Sequence, residues 1–92
     1  MFEIFFGNNR AKKDYEKLEE KIRIRVNELC EVLKDVPVPF KIYDVRKVAG
    51  EENMFRIRMG KYRVVYKVVE AESKIRILEI KLKDEETYKQ LN

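Results

Sequence analysis

The chain has 92 residues, with 21 Lys and Arg against 17 Asp and Glu, which gives a net charge of +4 and a pI near 9.2. This length predicts one domain spanning residues 1–92, because two domains would each have too little core. The sequence has no histidine, which excludes His-dependent nucleophiles and His-ligated zinc sites. Three scattered glycines exclude a phosphate-cradling loop, and a single cysteine excludes an internal disulfide. We therefore expect no metal, no small-molecule cofactor and, without a long apolar run, no membrane span.

The N-terminal half predicts a strand followed by two helices. Phe2–Phe6 is typical of a short strand, and Asn8 or the asparagine after it can cap a following helix. Apolar residues then recur at steps of three and four, which indicates one apolar helical stripe. A single helix over Arg10–Asp35 would be about 39 Å long. Because a globule of this size has a radius of gyration of only ~12 Å, we expect a helical hairpin broken near Glu19–Glu20.

The C-terminal half predicts three strands after an irregular connection over residues 37–53. The strands are Met54–Met59, Tyr62–Val69 and Lys74–Lys83. The first two are joined at Gly60-Lys61, a loop that suits a type II′ hairpin. Asp84–Leu91 ends the chain as a short helix or tail. The order β-α-α-β-β-β predicts an α+β fold, in which an N-terminal helical hairpin covers an antiparallel sheet.

The predicted hairpin from Met54 to Val69 contains five basic residues and no acidic one. If Gly60-Lys61 is the whole loop, Arg58 lies opposite Arg63, and Arg56 lies on the same face. Like charges placed opposite each other destabilise a hairpin. A bound polyanion would relieve this repulsion, and the planar guanidinium suits phosphate. The alternative is an ordinary solvated strand face, which Lys and Arg protect from strand pairing.

Apolar residues in the last strand change from one side of the strand to the other. The two sets are Ile75 and Ile77, and then Leu78, Ile80 and Leu82. A β-bulge, or burial of both faces, would explain the change. Beyond it, Lys81 and Lys83 are expected to point toward the arginine face.

Three segments after the strand and helical hairpin carry a family pattern: "DVRKVAG", "FRIRMGKYRVVYKV" and "ILEIKLKDEETYK". Together they resemble the RelE/ParE superfamily of toxins from toxin–antitoxin systems, and the likeness is strongest to the archaeal RelE branch. It covers nearly the whole chain and is most specific over Phe55–Tyr66. There an aromatic-basic-x-basic strand is followed by a Gly turn and Tyr-Arg-hydrophobic-hydrophobic-Tyr. Lys47 stands in the place of the family's lysine ahead of a glycine.

The resemblance implies a metal-independent endoribonuclease, an mRNA interferase that cleaves mRNA in the ribosomal A site. In that reaction the ribose 2′-oxygen attacks the adjacent phosphate. The candidate catalytic residues are Arg63, Tyr88 and Arg58. The candidate RNA-binding residues are Arg56, Lys61, Lys81, Lys83 and Lys47. The implied partners are a RelB-like antitoxin, mRNA and the ribosome, so the expected location is cytoplasmic.

Two features depart from the family pattern. Arg56 and Arg58 stand where the family often has lysine, and since arginine stays protonated we expect them to bind phosphate rather than act as bases. In place of an arginine shortly before Tyr88, the chain has Asp84-Glu85-Glu86-Thr87, whose acids would repel RNA. These acids favour a ParE-like toxin acting on DNA gyrase, or a degenerate member that only binds a protein. A plain RNA-binding module is a third alternative, but it would need more exposed aromatic residues for base stacking.

Overall fold

The structure, a computed structural model, describes residues 1–82. It contains two helices and five strands, in the order β-α-α-β-β-β-β. The elements are β1 (Glu3–Phe6), α1 (Asn9–Glu16), α2 (Glu20–Asp35), β2 (Asp44–Lys47), β3 (Met54–Met59), β4 (Tyr62–Val69) and β5 (Lys74–Leu82). The helices pack on one face of a single sheet with strand order β1-β5-β4-β3-β2. The predicted α+β fold with a helical hairpin on a sheet is confirmed.

The helical hairpin forms where the apolar stripe predicts it. The side chain of Asn8 accepts a hydrogen bond from the backbone N–H of Ala11 at 2.8 Å, which caps α1. The break falls between the end of α1 and Glu20, and Glu19 there has an extended backbone with a ψ of 150°. This turn lets both helices place apolar residues on the same sheet.

The sheet differs from the predicted one in two details. β1 runs parallel to β5, so the sheet is mixed rather than wholly antiparallel. The predicted connection over residues 37–53 contains a further strand, β2, which pairs with β3. The parallel pairing depends on contact between distant segments of the chain. β2 has one half-buried apolar residue, Val45, and this is too short a pattern to predict a strand.

The core lies between the helices and the sheet. Its buried members are Ala11, Val26, Leu29, Leu33, Ile57, Met59, Val64, Tyr66, Val68, Ile75, Ile77 and Ile80. Tyr66 is fully buried, and its hydroxyl donates a 2.7 Å hydrogen bond to the carbonyl of Pro37. This bond ties β4 to the segment that follows α2.

β5 contains the predicted bulge. Val65 of β4 pairs with Glu79, but the next residue, Tyr66, pairs with Ile77, so Leu78 is an extra residue on β5. The bulge explains why buried positions change from Ile77 to Ile80 along the strand.

The edge of β5 that does not pair with β4 is covered differently along its length. β1 pairs only with residues 74–77. Beyond them the N–H of Ile80 donates to the carboxylate of Asp14 in α1, at 3.4 Å. A helix side chain therefore replaces a strand along this part of the sheet.

Candidate nucleic-acid interface on the open sheet face

The face of the sheet opposite the helices is rich in positive charge. The strand register places these residues on it: Glu3, Phe5, Asp44, Arg46, Met54, Arg56, Arg58, Arg63, Val65, Lys67, Val69, Lys74, Arg76, Glu79 and Lys81. Eight of them are basic and three are acidic, an excess of five positive charges. The whole chain has a net charge of only +4. We call this surface the cationic face.

A row of three cations crosses the middle of the cationic face. Arg58 lies directly opposite Arg63, as predicted, and Arg63 lies opposite Lys81 on the next strand. We call these three residues the central row. Neighbouring strands are about 4.8 Å apart, so the row places three positive charges on three adjacent strands, within two strand spacings. An extended polyanion such as single-stranded RNA matches this arrangement.

The hairpin turn holds Arg58 opposite Arg63. Gly60 has a φ of +59°, while Lys61 is not among the residues with positive φ, which fits the predicted type II′ turn. Lys61 is exposed at the tip of this turn, next to the central row.

Two carboxylates beside the central row were not expected from the hairpin sequence. An oxygen of Glu79 lies 3.3 Å from the Nη2 atom of Arg63, and its other oxygen lies 3.4 Å from Nζ of Lys81. Asp44 lies 3.9 Å from the Nε atoms of both Arg58 and Arg46. The hairpin itself has no acidic residue, but the sheet brings these two acids to the same face from β5 and β2.

Arg56 lies in the next row of the face, between Arg46 on β2 and Val65 on β4. Its side chain is half-buried, and its Nε atom has no hydrogen-bond partner among the described residues. Neither neighbour is an acid, so Arg56 adds a positive charge beside the central row.

The remaining predicted site residues are not all brought together. Lys47 pairs with Phe55, so the register places it on the helix-covered side of the sheet. It is exposed there, as the last residue of β2. The structure thus separates it from the arginines. Tyr88 and Lys83 lie outside the described residues. Their proposed roles rest on the sequence alone.

A second pair of opposed cations was missed by the sequence analysis. Lys67 of β4 lies opposite Arg76 of β5, on the same face as the central row. The Arg76 guanidinium and the Nζ atom of Lys74 lie 5.6 and 5.5 Å from the centre of the Phe5 ring. The alternation of Lys74, Arg76 and the apolar residues between them was the available signal, but β5 had no predicted pairing partner.

Two titratable side chains on the helix-covered side of the sheet, Cys30 and Tyr66, pack in or against the core. Burial raises the pKa of the Cys30 thiol to about 11, with Glu31 adding to the effect. Burial also raises the pKa of Tyr66. Cys30, with Ile4 and Val26, lines an open apolar cavity of about 330 Å³ between β1 and α2. Both groups stay protonated at neutral pH, which suits packing rather than nucleophilic chemistry.

Within residues 1–82 no group of three or more Cys, Asp or Glu side chains is arranged to hold a metal ion. No helix in the same part of the chain is long and apolar enough to cross a membrane. What this region does offer is a row of arginine and lysine side chains on the sheet, and guanidinium groups match phosphate in shape and charge.

A helical hairpin on one side of a small mixed sheet, with a cationic opposite face, defines the RelE-like class of toxin folds. Among solved structures, the archaeal RelE–RelB complex from Pyrococcus horikoshii OT3 matches with a TM-score of 0.79 and 28% identity, over 89% of this chain and 94% of that one. The RelB–RelE complex from Methanococcus jannaschii matches with a TM-score of 0.74 and 21% identity, over 90% and 94%.

The sequence comparisons agree with the fold. A family model described as the ParE toxin of type II toxin-antitoxin system, parDE, matches residues 8–86. A protein described as toxin RelE1 from Methanocaldococcus jannaschii is 34% identical over 62 residues, which are 67% of this chain and 69% of the relative. The chain belongs to the ParE/RelE family of toxins of type II toxin–antitoxin systems. The family resemblance found in the sequence is confirmed.

Proposed function

We propose that this toxin is a ribosome-dependent endoribonuclease that cleaves mRNA in the A site. The observation that carries the proposal is the central row, in which Arg58, Arg63 and Lys81 lie side by side on three adjacent strands. Family membership and the cationic face support it. mRNA bound to a ribosome is a cytoplasmic substrate, so the proposal includes a cytoplasmic location.

The chemistry assigned to the row is electrostatic. When the ribose 2′-oxygen attacks the adjacent phosphate, a bond forms to phosphorus, the bond to the 5′-oxygen breaks, and negative charge builds on the other phosphate oxygens. Arg63 and Arg58 would donate hydrogen bonds to those oxygens, since guanidinium groups stay charged throughout. Loss of one such donor lowers the rate by about 10²–10³ at comparable sites.

The other candidate residues have supporting roles in this proposal. Arg56, Lys61 and Lys81 would bind flanking phosphates, and Lys83 would extend the same charge beyond β5. Tyr88 would position the substrate or transfer a proton. A phenol with a pKa near 10 is a weak base at neutral pH, so this role requires nearby positive charge.

We also propose that a RelB-like antitoxin restrains the toxin by covering the cationic face with an acidic or amphipathic segment. The Pyrococcus horikoshii structure is a complex of RelE with RelB, and its RelE chain is the 28% identical relative. An excess of five positive charges on one face favours an acidic partner. Co-expression with the neighbouring reading frame, followed by size exclusion, tests this pairing, and two separate peaks would contradict it.

Cleavage is tested on purified ribosomes programmed with a short mRNA, with RNA ends mapped by primer extension. Wild type should produce a discrete cut in the A-site codon, and Arg63→Ala should cleave about 10²-fold more slowly. Tyr88→Phe removes the hydroxyl of the C-terminal tyrosine and so tests its role in cleavage. Lys21→Ala, an exposed change on α2, is the matched control for loss of one positive charge. Equal cleavage by wild type, Arg63→Ala and Tyr88→Phe would refute the catalytic assignment.

A second candidate function is a toxin that acts only by binding a protein, such as DNA gyrase. The carboxylates of Asp44 and Glu79 favour it, because they lower the positive potential of the face that RNA would meet. The acids at positions 84–86 would lower it further. Toxicity without any new mRNA ends, together with inhibition of gyrase supercoiling, would favour this candidate.

A further inference from the structure

Glu79 forms an enclosed bridge between two cations of the central row. Its two oxygens lie 3.3 Å from Arg63 and 3.4 Å from Lys81. The three side chains are 22–27% exposed. The side chains in the Asp44 ion pairs on the same face are 40–69% exposed, at 3.9 Å. The Glu79 bridge is therefore shorter and less accessible to solvent, which strengthens its hold on both cations.

The bulge in β5 brings this carboxylate to the cationic face. Ile75 and Ile77 are buried, so an unbroken strand would direct Glu79 toward the core as well. The extra residue, Leu78, reverses the alternation, and Glu79 and Lys81 both turn to the outer face. Arg63 and Lys81 then lie opposite each other on neighbouring strands, where like charges repel each other unless an anion lies nearby.

We propose that Glu79 is a positioning residue that fixes Arg63 and Lys81 in the pose in which they meet a phosphate. This inference rests on the proposed ribonuclease function. One oxygen of Glu79 accepts a hydrogen bond from one guanidinium nitrogen of Arg63. A guanidinium has five N–H donors and an ammonium group has three, so a single carboxylate cannot engage all of them. Donors held in place before the reaction stabilise developing charge more effectively than mobile ones.

The proposed role predicts opposite effects on binding and on turnover. The negative charge of Glu79 repels RNA, so its removal should tighten binding. Its removal also takes away a contact that helps to hold Arg63 and Lys81 in place, so cleavage of bound RNA should slow. A residue that only supported the fold would weaken both quantities together. A residue that only adjusted the charge would tighten binding and leave turnover unchanged.

The test compares Glu79→Gln with Glu28→Gln, which makes the same change of charge at an exposed position on α2. Binding is measured with a short 2′-O-methyl RNA that resists cleavage, and turnover with saturating toxin on programmed ribosomes. Glu79→Gln should bind the RNA about two- to fourfold more tightly than wild type. It should cleave about tenfold more slowly. Glu28→Gln should match wild type in both assays, and Glu79→Asp should bind like wild type and cleave at an intermediate rate.

The mobility of the Arg63 side chain can be measured without any cleavage reaction, so it tests this inference separately from the proposed function. Nitrogen-15 relaxation of the Arg63 Nε–H group should report a more mobile side chain in Glu79→Gln than in wild type or Glu28→Gln. An equally ordered Arg63, unchanged turnover, or a joint loss of binding and turnover with a lower melting temperature would each overturn the positioning role. If wild type itself does not cleave, the proposed function fails, and the relaxation comparison alone decides the positioning role.

Discussion

Salt dependence of RNA binding gives a quantitative test of the cationic face. The central row and Arg56 offer four cations to neighbouring phosphates. Each neutralised phosphate on a single strand contributes about −0.7 to the slope of log K against log salt, so the expected slope is about −2.8. Raising salt from 50 to 200 mM should then weaken binding about fiftyfold. Arg63→Ala should flatten the slope to about −2.1, because one contact is lost.

The assay is fluorescence anisotropy of a labelled single-stranded RNA, titrated at four or more salt concentrations. Lys21→Ala again supplies the control, since it removes an exposed positive charge from the helix layer. Its slope should equal that of wild type. A wild-type slope near zero, or the same flattening in Arg63→Ala and Lys21→Ala, would refute the assignment of phosphate contacts to the central row.

Three further predictions concern the core and the thiol. Tyr66→Phe leaves the Pro37 carbonyl without its 2.7 Å donor and should lower the free energy of unfolding by about 1–2 kcal/mol in urea denaturation, whereas an unchanged midpoint would contradict the role of this bond. Gly7→Ala would place a Cβ 2.8 Å from Cδ2 of Leu78, which can rotate away, but also 3.2 Å from Cβ of Arg76 and 3.3 Å from the carbonyl oxygen of Ile77, which cannot. The variant should therefore unfold about 1–3 kcal/mol more easily, and equal stability would show that β1 and β5 separate without cost. Burial raises the pKa of Cys30 from 9.0 to about 11, so less of the thiol is ionised at pH 8. Alkylation of Cys30 at pH 8 should therefore be about a hundredfold slower in the folded protein than in urea, and its rate in the folded protein should rise up to about pH 11. Similar alkylation rates in the folded and unfolded protein at pH 8 would contradict the raised pKa.

The alternation of apolar residues and the turn residues predicted the features that depend on neighbouring residues in the sequence. The register of the β3–β4 hairpin follows from alternation and from a two-residue turn beginning with Gly60, so Arg58 could be placed opposite Arg63 from the sequence alone. The change of side in the apolar residues of β5 indicated either a bulge or burial of both faces, and the structure contains the bulge.

The missed features depend on which strands meet. Glu79 lies 16 residues from Arg63 along the chain, and no local pattern indicates that β5 brings the two together. β2 is a short edge strand whose identity as a strand depends on β3. The sequence therefore predicted the three cations of the central row, but not their counterions or the second pair of cations, Lys67 and Arg76. The roles of Arg63, Arg58 and Tyr88 stay predictions until cleavage is measured.

The division of the β5 edge between β1 and α1 has a consequence for the toxin without a partner. An exposed strand edge is a template on which other chains can pair and aggregate. Beyond Ile77 the Asp14 carboxylate occupies the N–H group of Ile80 that an added strand would use. Within residues 1–82 the outer strands of the sheet are β1 and β2, each four residues long. Such short edges offer few backbone groups to an added strand, so within residues 1–82 the sheet itself limits self-association through strand pairing.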